Sequence, residues 1–140
     1  MFAEKSVAAL VMFSAQLFHY DSQYTLTVSH DIVFQYILVN EGRSYNSANG
    51  RFTASVAGVY MFTVQYCPYT NKKIYLDIVH AGRSLQCSTN WERDDIVCAS
   101  MQAFAKVAVG DTISVRSRHS GILYHNSNSW NSFSGLLIRV

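Results

Sequence analysis

The sequence predicts an all-β fold, a sandwich of two packed sheets with about ten strands in a jelly roll. Three observations point there. Residues 58–66 alternate with period two, so Tyr60, Phe62, Val64 and Tyr66 share one face of a strand. A face that rich in large side chains needs a second sheet to cover it. Strand signals recur roughly every 8 to 15 residues with turn chemistry between them, and almost nothing follows a helical period.

Residues 7–17 read as the first strand, and residues 24–28, Tyr-Thr-Leu-Thr-Val, as a short one rich in β-formers. Residues 32–39 form a longer strand. Asn49-Gly50 is a turn signal, with a short strand at Phe52-Thr53 beyond it. Gly58 opens the long strand where a side chain would obstruct the entry, and Pro68, which has no N–H to donate, ends pairing after it. Residues 73–80 set Ile74, Leu76 and Ile78 inward against Lys73 and Asp77 outward. Ala81-Gly82 turns the chain. Residues 96–109 alternate Ala103, Ala105 and Val107 against Gln102 and Lys106, and Gly110-Asp111 makes a hairpin turn. Residues 112–117 alternate Ile113 and Val115 against Ser114 and Arg116, and residues 133–140 close the chain. Tyr60, Phe62, Phe133 and Leu137 are the expected deep core. The long loops are residues 86–95 and 118–131.

A chain of 140 residues reads as one domain, residues 1–140, large enough to fold on its own core. Its charged fraction is 14%, against roughly 25% in typical soluble domains, which suits a surface partly covered in an oligomer. A net charge of +2 carries no electrostatic case for nucleic acid, and Lys72-Lys73 reads as a solvated turn. No apolar run reaches the length of a membrane span. The opening Met1-Phe2-Ala3-Glu4-Lys5 does not read as a signal peptide. No Gly-X-Y run is present, so no collagen-like stalk is expected within this chain.

Cys67, Cys87 and Cys98 are an odd number, with no C-x-x-C and no zinc-like spacing. Three buried reduced thiols, one intrachain disulfide with a free thiol, and an intermolecular bridge all remain open. Cys98, in Ile96-Val97-Cys98-Ala99, looks like strand core. Catalytic signatures are missing, and an enzyme is not expected. Ser29-His30-Asp31 places three triad letters side by side, but adjacent strand residues point to opposite faces and cannot form a relay. These residues read as a polar turn. Asp94-Asp95 offers carboxylates to a calcium ion, which wants six to eight oxygens, but two acids beside Arg93 more often cap a loop. No cofactor and no resident metal are expected, with calcium left open.

The two loops carry the binding chemistry. Sugars take an aromatic face against their C–H patches and planar amide or carboxylate groups on their hydroxyls. Tyr124, His125, Asn126, Asn128 and Trp130 supply that set within seven residues, and Trp91 stands in the other loop. The bland alternative is a packed Trp130, a strand Tyr124, and Asn and Ser residues that make turns. No N-x-[ST] sequon occurs, so no N-glycan is expected.

Phe34, Asn40, Tyr45, Phe52, Gly58, Tyr60 and Phe62, with their spacing, resemble the signature of the globular head domain of complement C1q. Val64 stands where that family usually has an aromatic. Residues 11–15, 108–115 and 132–138 resemble the family's opening strand, late Gly-Asp hairpin and closing strand, in family order. The resemblance implies a jelly roll of the C1q and tumour necrosis factor type. It also implies a homotrimer with apolar faces along its threefold axis, and in some members calcium near the apex. By analogy it implies a secreted, lectin-like pattern-recognition protein of innate defence that binds glycans or microbial surfaces, with sialic acid or N-acetylated sugars as ligands. The rival expectation is a cytokine-like ligand of protein receptors.

Overall fold

The computed structural model describes residues 9–17 and 22–140. They contain twelve strands and no helix: β1 (Met12–Gln16), β2 (Ser22–Leu26), β3 (Tyr36–Glu41), β4 (Tyr45–Asn46), β5 (Arg51–Thr53), β6 (Gly58–Tyr66), β7 (Lys72–His80), β8 (Arg83–Glu92), β9 (Ala99–Val107), β10 (Thr112–Ser117), β11 (Gly121–His125) and β12 (Ser132–Arg139). One sheet has the order β3-β1-β12-β6-β9, and the second β4-β5-β10-β7-β8. A two-stranded ribbon, β11-β2, stands beside them. The inner faces of the two large sheets enclose one core, and strands that neighbour in space but not in sequence give the jelly-roll topology.

The alternating face of β6 is where the sequence puts it: Tyr60, Phe62, Val64 and Tyr66 are all buried. Phe13 centres the aromatic layer, with Tyr45 and Phe133 rings at 4.9 Å and Phe52 at 5.3 Å. Gly135 makes room for it. A Cβ there would lie 2.5 Å from Phe13 and 2.7 Å from Phe62. The spaced motif now has a physical account. Asn40 donates to the Tyr45 carbonyl (2.9 Å) and accepts from its N–H (3.2 Å), closing the turn between β3 and β4. The Tyr45 hydroxyl donates to the Phe34 carbonyl (2.7 Å), and burial pushes its pKa well above the ordinary phenol value. The Tyr60 hydroxyl donates to the Val56 carbonyl (2.6 Å). Each buried ring that carries a hydroxyl thus has a partner. A Cβ on Gly58 would sit 2.4 Å from the Arg139 carbonyl, so β6 can enter beside β12 only as glycine.

Several boundaries differ from the expectation. The first strand begins at Met12, and Val7 and Ala8 lie outside the described residues. The short strand expected over 24–28 is Ser22–Leu26. Of the strand expected over 32–39, only the part from Tyr36 onward is one. Ile32 and Phe34 are buried in an extended lead-in, where the Ile32 N–H donates to the Val115 carbonyl (2.8 Å). The strand expected over 96–109 is Ala99–Val107. Cys98 is therefore not strand core. It is a half-buried loop residue in a disulfide with Cys67, and Cys87 is the exposed free thiol. Leu137 is only partly buried: it packs against the margin of the core, beside Gly58 at the start of β6. Residues 86–95 are largely not a loop but the long edge strand β8, whose polar sequence has no alternation to read. Residues 118–131 likewise contain β11, with Tyr124 and His125 in it.

Candidate functional site

The strand registers place the loops. β6 runs from Gly58, beside Arg139, to Tyr66, paired with Ala99, and β7 and β8 run back and forth next to β10. The turns at 81–82 and 108–111 and Val140 therefore lie at one end of the sandwich. The segments 67–71, 93–98, 118–120 and 126–131 gather at the other.

Cys67 is the junction at that second end. Its disulfide to Cys98 anchors the 93–98 loop, its carbonyl accepts from Tyr124 N–H (2.9 Å), and its own N–H donates to the Asn131 Oδ1 (2.7 Å). Asn131 is fully buried. Its Nδ2 donates to the Tyr124 carbonyl (2.7 Å) and its N–H to His125 Nδ1 (3.1 Å). Sequence reading missed Asn131, because nothing distinguishes it from Asn126 and Asn128 in the same polar stretch.

The expected site residues divide by exposure. Trp130 is 44% exposed, with its indole N–H donating to the Ser127 carbonyl (3.1 Å) and its own carbonyl accepting from Gln65 Nε2 (2.8 Å). Tyr124 is half-buried, its ring 5.4 Å from that of Tyr69. Asn126 uses its side-chain oxygen on the Asn128 N–H (2.8 Å), a side-chain-closed turn that shapes the loop. Asn128 is exposed at its tip. His125 is 1% exposed; its Nδ1 accepts from Asn131, so the proton of the neutral ring sits on Nε2. Burial holds its pKa below the ordinary histidine value. His125 therefore shapes the loop from beneath. Trp91 is 45% exposed on β8, opposite Lys73, with Lys73 Nζ at 5.5 Å and Arg93 Cζ at 4.8 Å from its ring centroid. The fold thus brings Trp91 and the Tyr124–Trp130 segment to one end, on different sheets.

Asp95 accepts from the Ile96 N–H (2.8 Å), a loop cap. Among the described residues no three His, Cys, Asp or Glu side chains converge. Asp31 of the Ser29-His30-Asp31 run is a latch. It accepts from Arg51 (2.7 Å), Ser114 (2.9 Å) and Arg116 (3.3 Å). Burial opposes its ionisation, but the hydrogen bonds from Arg51 and Ser114 and the charges of Arg116 and Arg51 prevail and hold its pKa below the ordinary value.

The outer face of the first sheet is a second surface of interest. Met12, Leu136, Met61 and Phe104 are successive cross-strand partners along β1, β12, β6 and β9, and all point away from the core. Phe104 is 66% and Leu136 38% exposed, with Leu38 and Ile138 also exposed on this sheet. A small hollow lined by Met12, Val39, Met61 and Leu136 lies along this row. An apolar band of this kind marks an interaction surface.

The C1q domain family profile matches residues 12–138. Complement C1q tumor necrosis factor-related protein 2 of Mus musculus is 32% identical over 112 residues, covering 76% of this chain and 37% of that protein. Related protein 6 of Rattus norvegicus is 26% identical over 113 residues, covering 78% and 43%. The chain spans less than half the length of these relatives. Among solved structures, the globular domain of zebrafish complement 1qA protein superposes with a TM-score of 0.73 at 18% identity, covering 94% of this chain and 99% of that one. The Eiger TNF of S. frugiperda superposes at 0.70 with 11% identity, covering 94% of each.

Proposed function

Since the chain belongs to the C1q domain family, a non-enzymatic recognition fold, we infer that it acts as a secreted, lectin-like recognition protein that binds glycans on microbial surfaces as a homotrimer. The observation that carries this reading is the gathering of Trp130, Tyr124, Asn126 and Asn128 at one end of the sandwich, on a base fixed by Cys67 and Asn131. Trp130 supplies the ring face, Asn128 the amide at the loop tip, and His125 holds the loop from below. The apolar row on the first sheet supports the trimer, because an obligate interface of more than about 2,000 Å² wants such a surface. A single shallow sugar contact is weak, about millimolar. Three copies on one rigid body gain about 10² to 10⁴ in avidity on a dense glycan surface, without any new contact.

A glycan array with sialylated and N-acetylated sugars, repeated with free monosaccharide as competitor, tests the reading. Competable binding that Trp130→Ala abolishes, with assembly intact, is the expected result. An array without signal turns the assignment to the rival, a cytokine-like ligand of a protein receptor, a role in keeping with the likeness of its fold to Eiger TNF.

A further inference from the structure

The second sheet carries, near the same end, a run of side chains that alternates cation and ring. Arg93 Cζ lies 4.8 Å from the Trp91 centroid, and Lys73 Nζ lies 5.5 Å from that centroid and 5.7 Å from the Tyr75 centroid. The Tyr75 ring meets His119 edge-on at 4.5 Å. The order is Arg93, Trp91, Lys73, Tyr75, His119. Strand register builds its middle: Lys73 faces Trp91 across the β7–β8 pair, and Tyr75 follows two residues on, on the same face. The rings fix the reach of side chains that would otherwise wander.

Arg51 and Arg116 on the same sheet pair with Asp31, and Arg118 with Asp77. Among the described residues, no ion pair uses Lys73 or Arg93. Of the described acids beside Arg93, Asp95 is turned back to the Ile96 N–H and Asp94 is exposed. Arg93, Trp91, Lys73 and His119 are exposed and Tyr75 is half-buried, a row on a sheet face that a chain can lie along.

We propose that the Arg93–Trp91–Lys73–Tyr75–His119 row binds a linear acidic saccharide, one with carboxylate or sulfate groups on successive units. Cations repeated along a row match anions repeated along a chain. Lys73 and Arg93 already occupy the Trp91 ring, so a neutral sugar gains little from stacking there. The neighbour on this face is Thr89, the partner of Tyr75, which offers a hydroxyl rather than the apolar pockets an extended peptide uses. The site is separate from the Trp130 loop and stands or falls apart from it.

The test is calorimetry on the full chain with four probes: a heparin hexasaccharide, an alginate hexamer, maltohexaose and hexaglutamate. Heparin or alginate should bind, more weakly at high salt, and the other two should not. Binding of heparin alone assigns sulfate, and of alginate alone carboxylate. Lys73→Gln and Arg93→Gln should each weaken binding about 2- to 5-fold, and Lys73→Glu more, with melting temperature and mass unchanged. Trp130→Ala should retain acidic-saccharide binding while losing agglutination. The proposal is overturned if neither acidic probe binds, if maltohexaose binds equally, if hexaglutamate binds equally (an acidic-peptide site), if the Lys73→Gln/Arg93→Gln double variant binds like the parent, or if Trp130→Ala alone removes heparin binding.

Discussion

The outer faces of the two large sheets are made by the same alternation and finished in opposite ways. On the first sheet, Met12, Leu136, Met61 and Phe104 run across four strands without a charge among them. On the second, Asp77 and Asp31 each hold arginines: Arg118 for one, Arg51 and Arg116 for the other. Charged groups on such a face are at home in water, paired or not. An apolar row of that width calls for a covering partner. Periodicity decides which residues point outward, and only their chemistry says whether outward means solvent or another subunit.

The largest expected effect lies in the layer both faces share. Phe133 packs against Phe13 at 4.9 Å and is fully buried, so Phe133→Ala should cost about 3–5 kcal/mol through lost transfer energy and a residual cavity. Chemical denaturation checks it, and a melting temperature within a degree or two of the parent would show that Phe133 is not core. Next comes the disulfide. Cys67 and Cys98 are 31 residues apart, and replacing both by serine should cost about 2–4 kcal/mol. It should also loosen the 93–98 loop, read as faster amide exchange there than on either sheet.

The charged face should respond more mildly than the core. Asp31→Asn leaves Arg51 and Arg116, both partly exposed, able to find water, so a loss of about 1–3 kcal/mol is expected in urea denaturation. The smallest effect is acid sensitivity. His125 has a lowered pKa, so its contribution is present above about pH 6.5 and is lost as pH falls below that. Asp31 is also lowered, so its contribution is present above about pH 4 and is lost below it. Stability against pH should therefore decline in two stages. His125→Gln should remove the upper one and Asp31→Asn part of the lower.

The strands legible in the sequence are those with one face in the core: β6, β7 and β10 show clean alternation. β8 was illegible because an edge strand of Ser, Gln, Cys, Thr and Asn owes its pairing to β7 and not to any pattern of its own. The apolar run at Ile32 and Phe34 read as strand because burial alone produces it; pairing starts only at Tyr36. At the candidate site the residue types were readable but their exposure was not. His125 and Trp130 sit five residues apart, one sealed beneath the loop and the other half in water, and only tertiary packing separates them. The apolar outer row escaped notice for a similar reason. Its members lie on four strands that are distant in sequence, and register alone lines them up.

Sedimentation equilibrium at micromolar concentration tests the contrast between the faces most directly. The parent and an Arg118→Gln variant of the charged face should both show three times the chain mass. Leu136→Asp, placed in the centre of the apolar row, should show the mass of one chain while keeping its β-sheet circular dichroism. A parent that sediments as a monomer, or a Leu136→Asp variant that stays trimeric, would contradict the account.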